Sequence, residues 1–358
     1  LWVALNWALG LKSLGCKVIW LEAVLPSSPS DKVLADMHIL KRNLQKYDLA
    51  NSLAVCSWTD ESLPMVLLAD CRHLEWAAQQ SDLLLNFGYD LSSEAVECFK
   101  RTALVDIDPG ILQVMMSQGQ KRPAKHDVYL TIGETVGTTA AIFPDCGIRW
   151  HYTPPPVCLD EWKPQPAERL NGRPYTTVAH WWGGEMEFEG KTFLNEKRIS
   201  FLEYLDLPSR IPVPLELAVC WGSDEENRVL YGRHGWRVRE AWDVTSTPED
   251  YRNYIQNSRG EFSCVKPSCM IFQNAWISDR TLCYLASGRP AVVQHTGVSR
   301  FLPDADGLFR FRNPDEAVSA FKKIEADYPL QCRRARELTE QYFDSRKVLR
   351  RVLEIALN

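Results

Sequence analysis

AWISDRTLCYLASGRPAVVQHTG, residues 275–297, reads as one helix, one tight stop and one buried strand. Ser278 is a natural N-cap, and Asp279 and Arg280 fall in the first helical turn. Gly288 stands where a left-handed cap ends a helix, and PAVVQH (290–295) is an apolar run of the kind that is buried on both faces of a parallel sheet. A helix that passes within two residues into such a strand is half of an α/β repeat. A helix N-terminus carrying a hydroxyl and an arginine can hold a phosphate group. Spacing alone equally allows a capped helix with a solvated Arg280.

The same alternation extends outward in both directions. Upstream come strand YTTVAHW (175–181), helix 195–206, strand LELAVC (215–220), helix 225–234, strand WRVREAWDV (236–244), helix 248–257 and strand EFSCV (261–265). Downstream, GLFRF (307–311) is a strand before helices at 314–326, 330–341 and 344–357. Further upstream, TPPPVCLDEWKPQPAERLNGRP is rich in proline and has no periodicity, which marks a linker. Before it lies another α/β series: a helix over the first residues stopped at Gly15, strand KVIWLEAVLP (17–26), helix 31–47, LAVCSW (53–58) as a strand or a helix tail, and helix 62–80. SDLLLNFG (81–88), TALVDID (102–108), DVYLTIG (127–133) and a run near 148–152 read as strands. Doubly wound domains normally open on a strand, so the expectation is that a first strand and its loop precede the helix at residue 1.

The 358 residues, 45% apolar and 24% charged, fit a folded chain with two domains rather than a disordered or fibrous one. The net charge of −5 argues against a nucleic-acid-coating protein. No run of about 18 apolar residues is present to span a membrane. The 11 cysteines form no Cys-x-x-Cys pair and no zinc spacing, which fits free thiols in a reducing cytoplasm.

In open parallel sheets ligands bind beyond the carboxyl ends of the strands. The residues there are Trp181-Trp182-Gly183-Gly184, Trp221-Gly222, Lys266 and His295-Thr296-Gly297, with Lys266 a point charge suited to phosphate. GGEMEFEGKT (183–192) only imitates a Walker loop, because Glu185 stands where that motif needs glycine. No Gly-x-Gly-x-x-Gly occurs. Asp106-Ile107-Asp108 and Asp304-Ala305-Asp306 could hold a metal, but both read better as turn residues at strand boundaries.

SDRTLCYLASGRPAVVQHTG, followed by GLFRF and NPDEAVSAF, resembles the donor half of GT-B glycosyltransferases, where a helix of the type EAMACGRPVI precedes a strand and a glycine turn. ALGLKSLGCKVIWLE, VDIDPG, HDVYLTIGE, GIRWHYTPPPV, EKRISFLEYLDLP and YRNYIQNSRGEFSCVK extend the likeness, almost end to end, to a bacterial branch of family 1-like glycosyltransferases. The resemblance implies two Rossmann-like doubly wound domains facing a cleft. The acceptor domain would span 1–153, the linker 154–174, the nucleotide-sugar domain 175–341, and a helix at 342–358 would cross back to the first domain. It implies a cytoplasmic enzyme moving a sugar from a nucleoside diphosphate sugar to a hydroxyl of a small molecule or glycan. No metal or resident cofactor and no nucleic-acid partner are expected. Donor contacts would come from Lys197, Lys266, Ser278, Asp279, Arg280, Thr296, Gly297, Trp181 and Gly183, with Trp182, Trp221 and Trp276 also near the cleft.

One departure stands out. Where many relatives have a glutamate that holds the ribose, this chain has Cys283, and Asp279, one turn earlier, could substitute. Among strand-end carboxylates, Glu134 and then Asp108 are candidates for a catalytic base, with Asp90 at another strand end. Two rivals share the fold: a nucleotide-sugar epimerase, and a non-catalytic module that binds a glycan or partner.

Overall fold

A strand that is apolar on both faces must be covered on both sides, and LELAV at Leu215–Val219 is buried at every residue. In a computed structural model this strand lies inside a six-stranded sheet of the unit formed by Leu1–Val3 and Pro155–Asp344. The structure describes residues 1–68, 71–303 and 306–358, Leu68 by its backbone alone. Numbered by their order in the chain, the strands Tyr175–Ala179, Leu215–Val219, Arg237–Glu240, Gly260–Ser263, Ala291–Gln294 and Leu308–Phe311 lie side by side as 3-2-1-4-5-6. Every pairing is parallel. The edges are wetter than the centre: Arg237–Glu240 is exposed at alternate residues, whereas Gly260–Ser263 and Ala291–Gln294 are wholly buried.

The second unit, Ala4–Pro154 with Ser345–Asn358, holds two parallel sheets. One pairs Trp20–Val24, Leu53–Ser57 and Arg72–His73, and the other Leu84–Asn86, Thr102–Asp106, Val128–Thr131 and Trp150–Tyr152. The helix Ser345–Leu357 presents Val348, Leu349, Val352 and Ala356 to the same core as Trp7, Val105 and Leu130. The α/β class expected from the sequence, with parallel sheets in both halves, is the class found.

Some boundaries differ. The stretch read as helix 62–80 divides into Met65–Leu68 and Leu74–Gln80, with the strand Arg72–His73 before the second helix; residues 69 and 70 lie outside the described residues. Helix 195–206 narrows to Lys197–Leu202, and strand 236–244 to Arg237–Glu240 followed by a turn of helix at Trp242–Thr245. The false Walker segment is an antiparallel hairpin, Glu185–Phe188 with Lys191–Leu194, turning through Glu189 and Gly190, both at positive φ. The proline-rich stretch is not a loose tether. Val157, Trp162 and Leu170 are buried, and Trp162 packs against Trp2 at 4.6 Å. Prolines deny it periodicity without denying it contacts.

Helix Asp279–Ala286 ends as its sequence requires. Gly288 at φ 67° lets Arg289 N–H reach Tyr284 O and Gly288 N–H reach Leu285 O, both at 2.9 Å, a Schellman closure.

Candidate functional site

The order 3-2-1-4-5-6 reverses direction between Tyr175–Ala179 and Gly260–Ser263, and ligands of open α/β sheets bind beyond the carboxyl ends of the strands at such a reversal. The loops there start at His180 and Cys264. Arg280 joins the two strands beneath them. Its Nε donates to Glu261 Oε1 at 2.7 Å, Nη1 to Val178 O at 3.1 Å and Nη2 to Ser263 Oγ. Glu261 is fully buried, and its Oε2 has no hydrogen-bond partner among the described residues. Burial disfavours the Arg280 cation, but Glu261 more than compensates and holds its pKa above the usual arginine value. The structure therefore corrects both sequence readings of Arg280: it is neither solvated nor open to a phosphate on most of its edge.

Two other cations meet at this place. Lys266 caps the short helix Pro267–Phe272, and Lys197 opens the helix Lys197–Leu202. Both are half-buried, and neither side chain makes a hydrogen bond or ion pair among the described residues. Burial, then the charge of Arg280, pushes the Lys197 ammonium down to about 7; Cys269 and Glu261 act the other way. The loop is drawn tight around them. Asn195 N–H donates to Gly184 O at 2.8 Å, Ser268 N–H to Asn195 Oδ1 at 3.0 Å, and a Cβ on Gly183 would lie 2.2 Å from Asn195 O.

Next to these loops is a small pocket lined by Ser263, Trp276, Ser278, Arg280, Gln294 and Thr296 among others. Ser278 is the residue before the helix, but its hydroxyl makes no cap bond. Asp279 is half-buried on the first turn. Thr296 is buried and donates to Trp276 O, tying one wall to another. Gly297 N–H reaches His295 Nδ1 at 3.2 Å. Trp276 Nε1 is buried without a partner among the described residues.

Trp181 is elsewhere. Its ring lies fully buried, 5.3 Å from Trp221 and 5.6 Å from Tyr231, so it has no open face for a sugar, and the same core holds Trp221. A position just after a strand, which is all the sequence gives for these two aromatics, does not tell an inward ring from an outward one. Trp182 is half-buried, donates to Cys220 O at 2.9 Å and carries the Arg198 guanidinium 5.7 Å above its ring. Cys283 is buried within its helix. Sequence reading passed over Glu261, the helix Pro267–Phe272 and the hairpin. A glutamate opening an otherwise apolar strand is a signal for a buried ion pair, since such a charge is rarely buried unpaired.

The smaller unit has its own strand-end carboxylates. Asp106 is fully buried; Gln113 Nε2 and Thr131 Oγ1 donate to Oδ2 at 2.9 and 2.8 Å, and Asp108 N–H to Oδ1 at 3.1 Å. Tyr89 Oη accepts from the N–H groups of Ile107 and Asp108 at 2.9 and 3.1 Å. Asp108 itself is exposed, Glu134 is buried, and Asp90 pairs with Lys121. Asp106 and Asp108 thus build a turn, as their sequence indicates. Asp304 and Ala305 lie outside the described residues. Among the described residues no group of three or more His, Cys, Asp or Glu side chains could hold a metal ion, and no helix is long and apolar enough to cross a membrane.

Burial pushes the Asp106 carboxyl up to about 6. Because this lies above its unfolded value, the folded chain holds the proton more tightly; the stabilisation is complete at acid pH and is lost as pH rises through 6. Asp106→Asn is expected to gain on wild type by about 3 kcal/mol between pH 4 and 7, read as the change in their urea-unfolding difference. Parallel curves for the two proteins would show that Asp106 does not titrate in this way.

No protein-family model matches the sequence, and no curated protein matches it. Solved structures do share the fold. An alpha-glucosyltransferase in complex with UDP and a 13-mer DNA containing a central A:G mismatch superposes with a TM-score of 0.58 at 11% identity, covering 95% of this chain and 99% of that one. HepE of Anabaena, in complex with UDP and glucose, gives 0.53 at 12% identity, covering 94% and 99%. An alpha-glucosyltransferase in complex with UDP gives 0.52 at 11%, covering 89% and 96%. The fold of these glycosyltransferases is the fold of this chain.

Proposed function

We propose that the protein is a glycosyltransferase that moves a sugar from a nucleoside diphosphate sugar, UDP-linked in the first instance, to a hydroxyl of a small molecule or glycan. The observation that carries this reading is the pair of lysines, Lys197 and Lys266, at the topological reversal of the 3-2-1-4-5-6 sheet, whose side chains have no hydrogen-bond or ion-pair partner among the described residues. The shared fold with UDP-bound transferases supports it.

In this reading the larger unit holds the donor and the smaller one the acceptor. Lys197 and Lys266 neutralise the diphosphate as the glycosidic bond to it breaks, which lowers the barrier most where charge builds up on the leaving oxygen. Arg280 acts beneath them, holding strands Tyr175–Ala179 and Gly260–Ser263 at a fixed spacing. Glu134, which is buried, is the carboxylate assigned to the acceptor, ahead of the exposed Asp108. The chemistry is assigned to side chains and amides, with the nucleotide sugar as substrate and no resident cofactor.

The test is calorimetry with UDP, GDP, dTDP, CDP and ADP on wild type and on Lys266→Ala. One diphosphate should bind selectively, and the variant should bind it about 10- to 100-fold more weakly, the worth of a hydrogen bond to a charged group. Binding of none of the five would overturn the donor reading.

A further inference from the structure

Both ring nitrogens of His126, in the smaller unit, are assigned by their surroundings. The ring is buried, 4% exposed. Nδ1 lies 2.7 Å from Ala124 O, which can only accept, so Nδ1 carries the proton. Nε2 lies 3.1 Å from Asn86 Nδ2. The Asn86 amide is fixed from its other end, because Gly88 N–H donates to Oδ1 at 2.8 Å and leaves Nδ2 to face the ring. Nε2 is therefore an acceptor, and the histidine is held neutral as its Nδ1–H tautomer. Burial pushes its pKa below the ordinary histidine value; the Ala124 carbonyl and Asp127 act the other way. Asp127 is itself engaged, by Thr102 N–H at 2.8 Å, Thr102 Oγ1 at 3.0 Å and Arg101 at 4.0 Å. Tyr129, whose ring lies 6.0 Å from the imidazole, accepts from His126 N–H at its hydroxyl at 3.0 Å.

From Asn86 the chain of bonds runs to a strand-end turn. Asn86 closes the strand Leu84–Asn86, and Gly88 has no spare room, since a Cβ there would lie 2.5 Å from Trp58 Cη2. One residue on, Tyr89 Oη accepts from the N–H groups of Ile107 and Asp108. Its own proton has Asp106 Oδ1 at 3.3 Å and Asp108 Oδ2 at 3.4 Å as acceptors. The segment Asn86–Tyr89 thus ties a buried imidazole to the turn that carries Asp108.

We propose that His126 is a positioning residue for this turn, and that a proton taken up on its Nε2 unlocks the segment between them. That the turn serves the acceptor rests on the reading above; the link itself does not. The proton passes from solvent buffer to Nε2, and the neutral imidazole becomes an imidazolium with two N–H donors. Nε2–H then faces the Asn86 NH2 group, donor against donor. Rotating the amide gives Nε2–H an acceptor but takes Oδ1 from Gly88 N–H, so one of the two bonds is lost either way. Because the folded chain lowers the histidine pKa, the neutral arrangement is complete above 6.5 and is lost as pH falls through the lowered value. Asp106, in the same turn, titrates at about 6, so the experiment has to separate the two.

The experiment is NMR on the full chain between about pH 7.5 and 4.5, with no ligand added. At the upper end the ring nitrogen shifts of His126 should show the proton on Nδ1 alone. As the ring titrates, the protection of the Gly88 amide, corrected for the intrinsic pH dependence of exchange, should fall about five- to tenfold, the worth of one hydrogen bond. Asp106→Asn removes the other titration in this range and should leave both changes in place. Asn86→Asp should reverse them. Its carboxylate accepts from Nε2–H and Gly88 N–H together, so His126 should titrate above its ordinary value and Gly88 should stay protected at about pH 5.5. A proton on Nε2 at the upper end, a ring that stays neutral throughout, or titration with Gly88 protection unchanged overturns the proposal, as does Asn86→Asp titrating like wild type. If the NMR results hold but no diphosphate binds, the donor reading falls and the link at His126 stands.

Discussion

Replacing Arg280 with methionine is expected to cost about 3–5 kcal/mol of folding stability, the usual penalty for breaking a buried ion pair. The reason is Glu261. Its side chain is 0% exposed, its Oε1 accepts from Arg280 at 2.7 Å, and without the guanidinium a bare carboxylate would remain in the middle of the sheet. Restoring the positive charge alone is not enough. Arg280→Lys offers a compact ammonium where the guanidinium reaches Glu261, Val178 O and Ser263 Oγ in three directions, so at least two of those acceptors lose their donor. The pair Arg280→Met with Glu261→Leu removes both charges and should recover most of the loss, because a buried pair is often worth no more than well-packed apolar side chains. Urea unfolding of the full chain measures all four proteins. A loss below about 1 kcal/mol in Arg280→Met would mean that the guanidinium is not held by Glu261 and is open to a ligand instead.

That prediction turns on a distinction the sequence does not carry. The string SDRTLCYLASGRPAVV reveals a helix, its stop and the strand that follows, because caps and apolar runs are local properties of the chain. It also places Arg280 in the first turn, at a helix end that faces a parallel sheet. What it lacks is the depth of the side chain. Arg280 meets Glu261 across 19 positions of sequence, and only the parallel pairing of Gly260–Ser263 with Tyr175–Ala179 brings Val178 to the same guanidinium. Trp181 is a second case of the same kind. Position after a strand was readable, but its contacts with Trp221, Tyr231 and Phe201 are tertiary. The hairpin at Glu185–Leu194 is legible in principle, since EMEF alternates polar and apolar residues just ahead of the turn pair Glu189-Gly190. Lys197 is a candidate by resemblance alone, whereas its lowered pKa depends on burial and then on Arg280 and Lys266, neither of them adjacent in sequence.

On the glycosyltransferase reading proposed above, Gly183→Ala is expected to reduce transfer from a UDP-sugar by about 100-fold, the scale of effect that a displacement near 1 Å has on a preorganised site. A Cβ at this position would fall 2.2 Å from Asn195 O and 3.5 Å from the Glu196 Cα, so the obstacle is backbone and cannot rotate aside. Asn195 cannot yield freely either, because Gly184 O and Ser268 N–H grip it from both sides. The strain must move segment 195–197 as a whole, and Lys197 with it. The cost to folding should stay near 1–3 kcal/mol, as for other overpacked positions, leaving the variant folded at room temperature. Gly232→Ala is the control: it lies within the helix Glu225–Arg233, a Cβ there meets nothing within 4 Å, and it should keep wild-type transfer while gaining up to about 1 kcal/mol of stability. Rates compared at saturating and limiting donor separate the two ways Gly183→Ala can act. A rise in KM alone would place the damage in binding at Lys197, whereas a matching fall in kcat and kcat/KM would place it in neutralising the departing diphosphate. A variant that folds and transfers within threefold of wild type would show that the tight approach of Gly183 to Asn195 has no part in placing Lys197 for transfer.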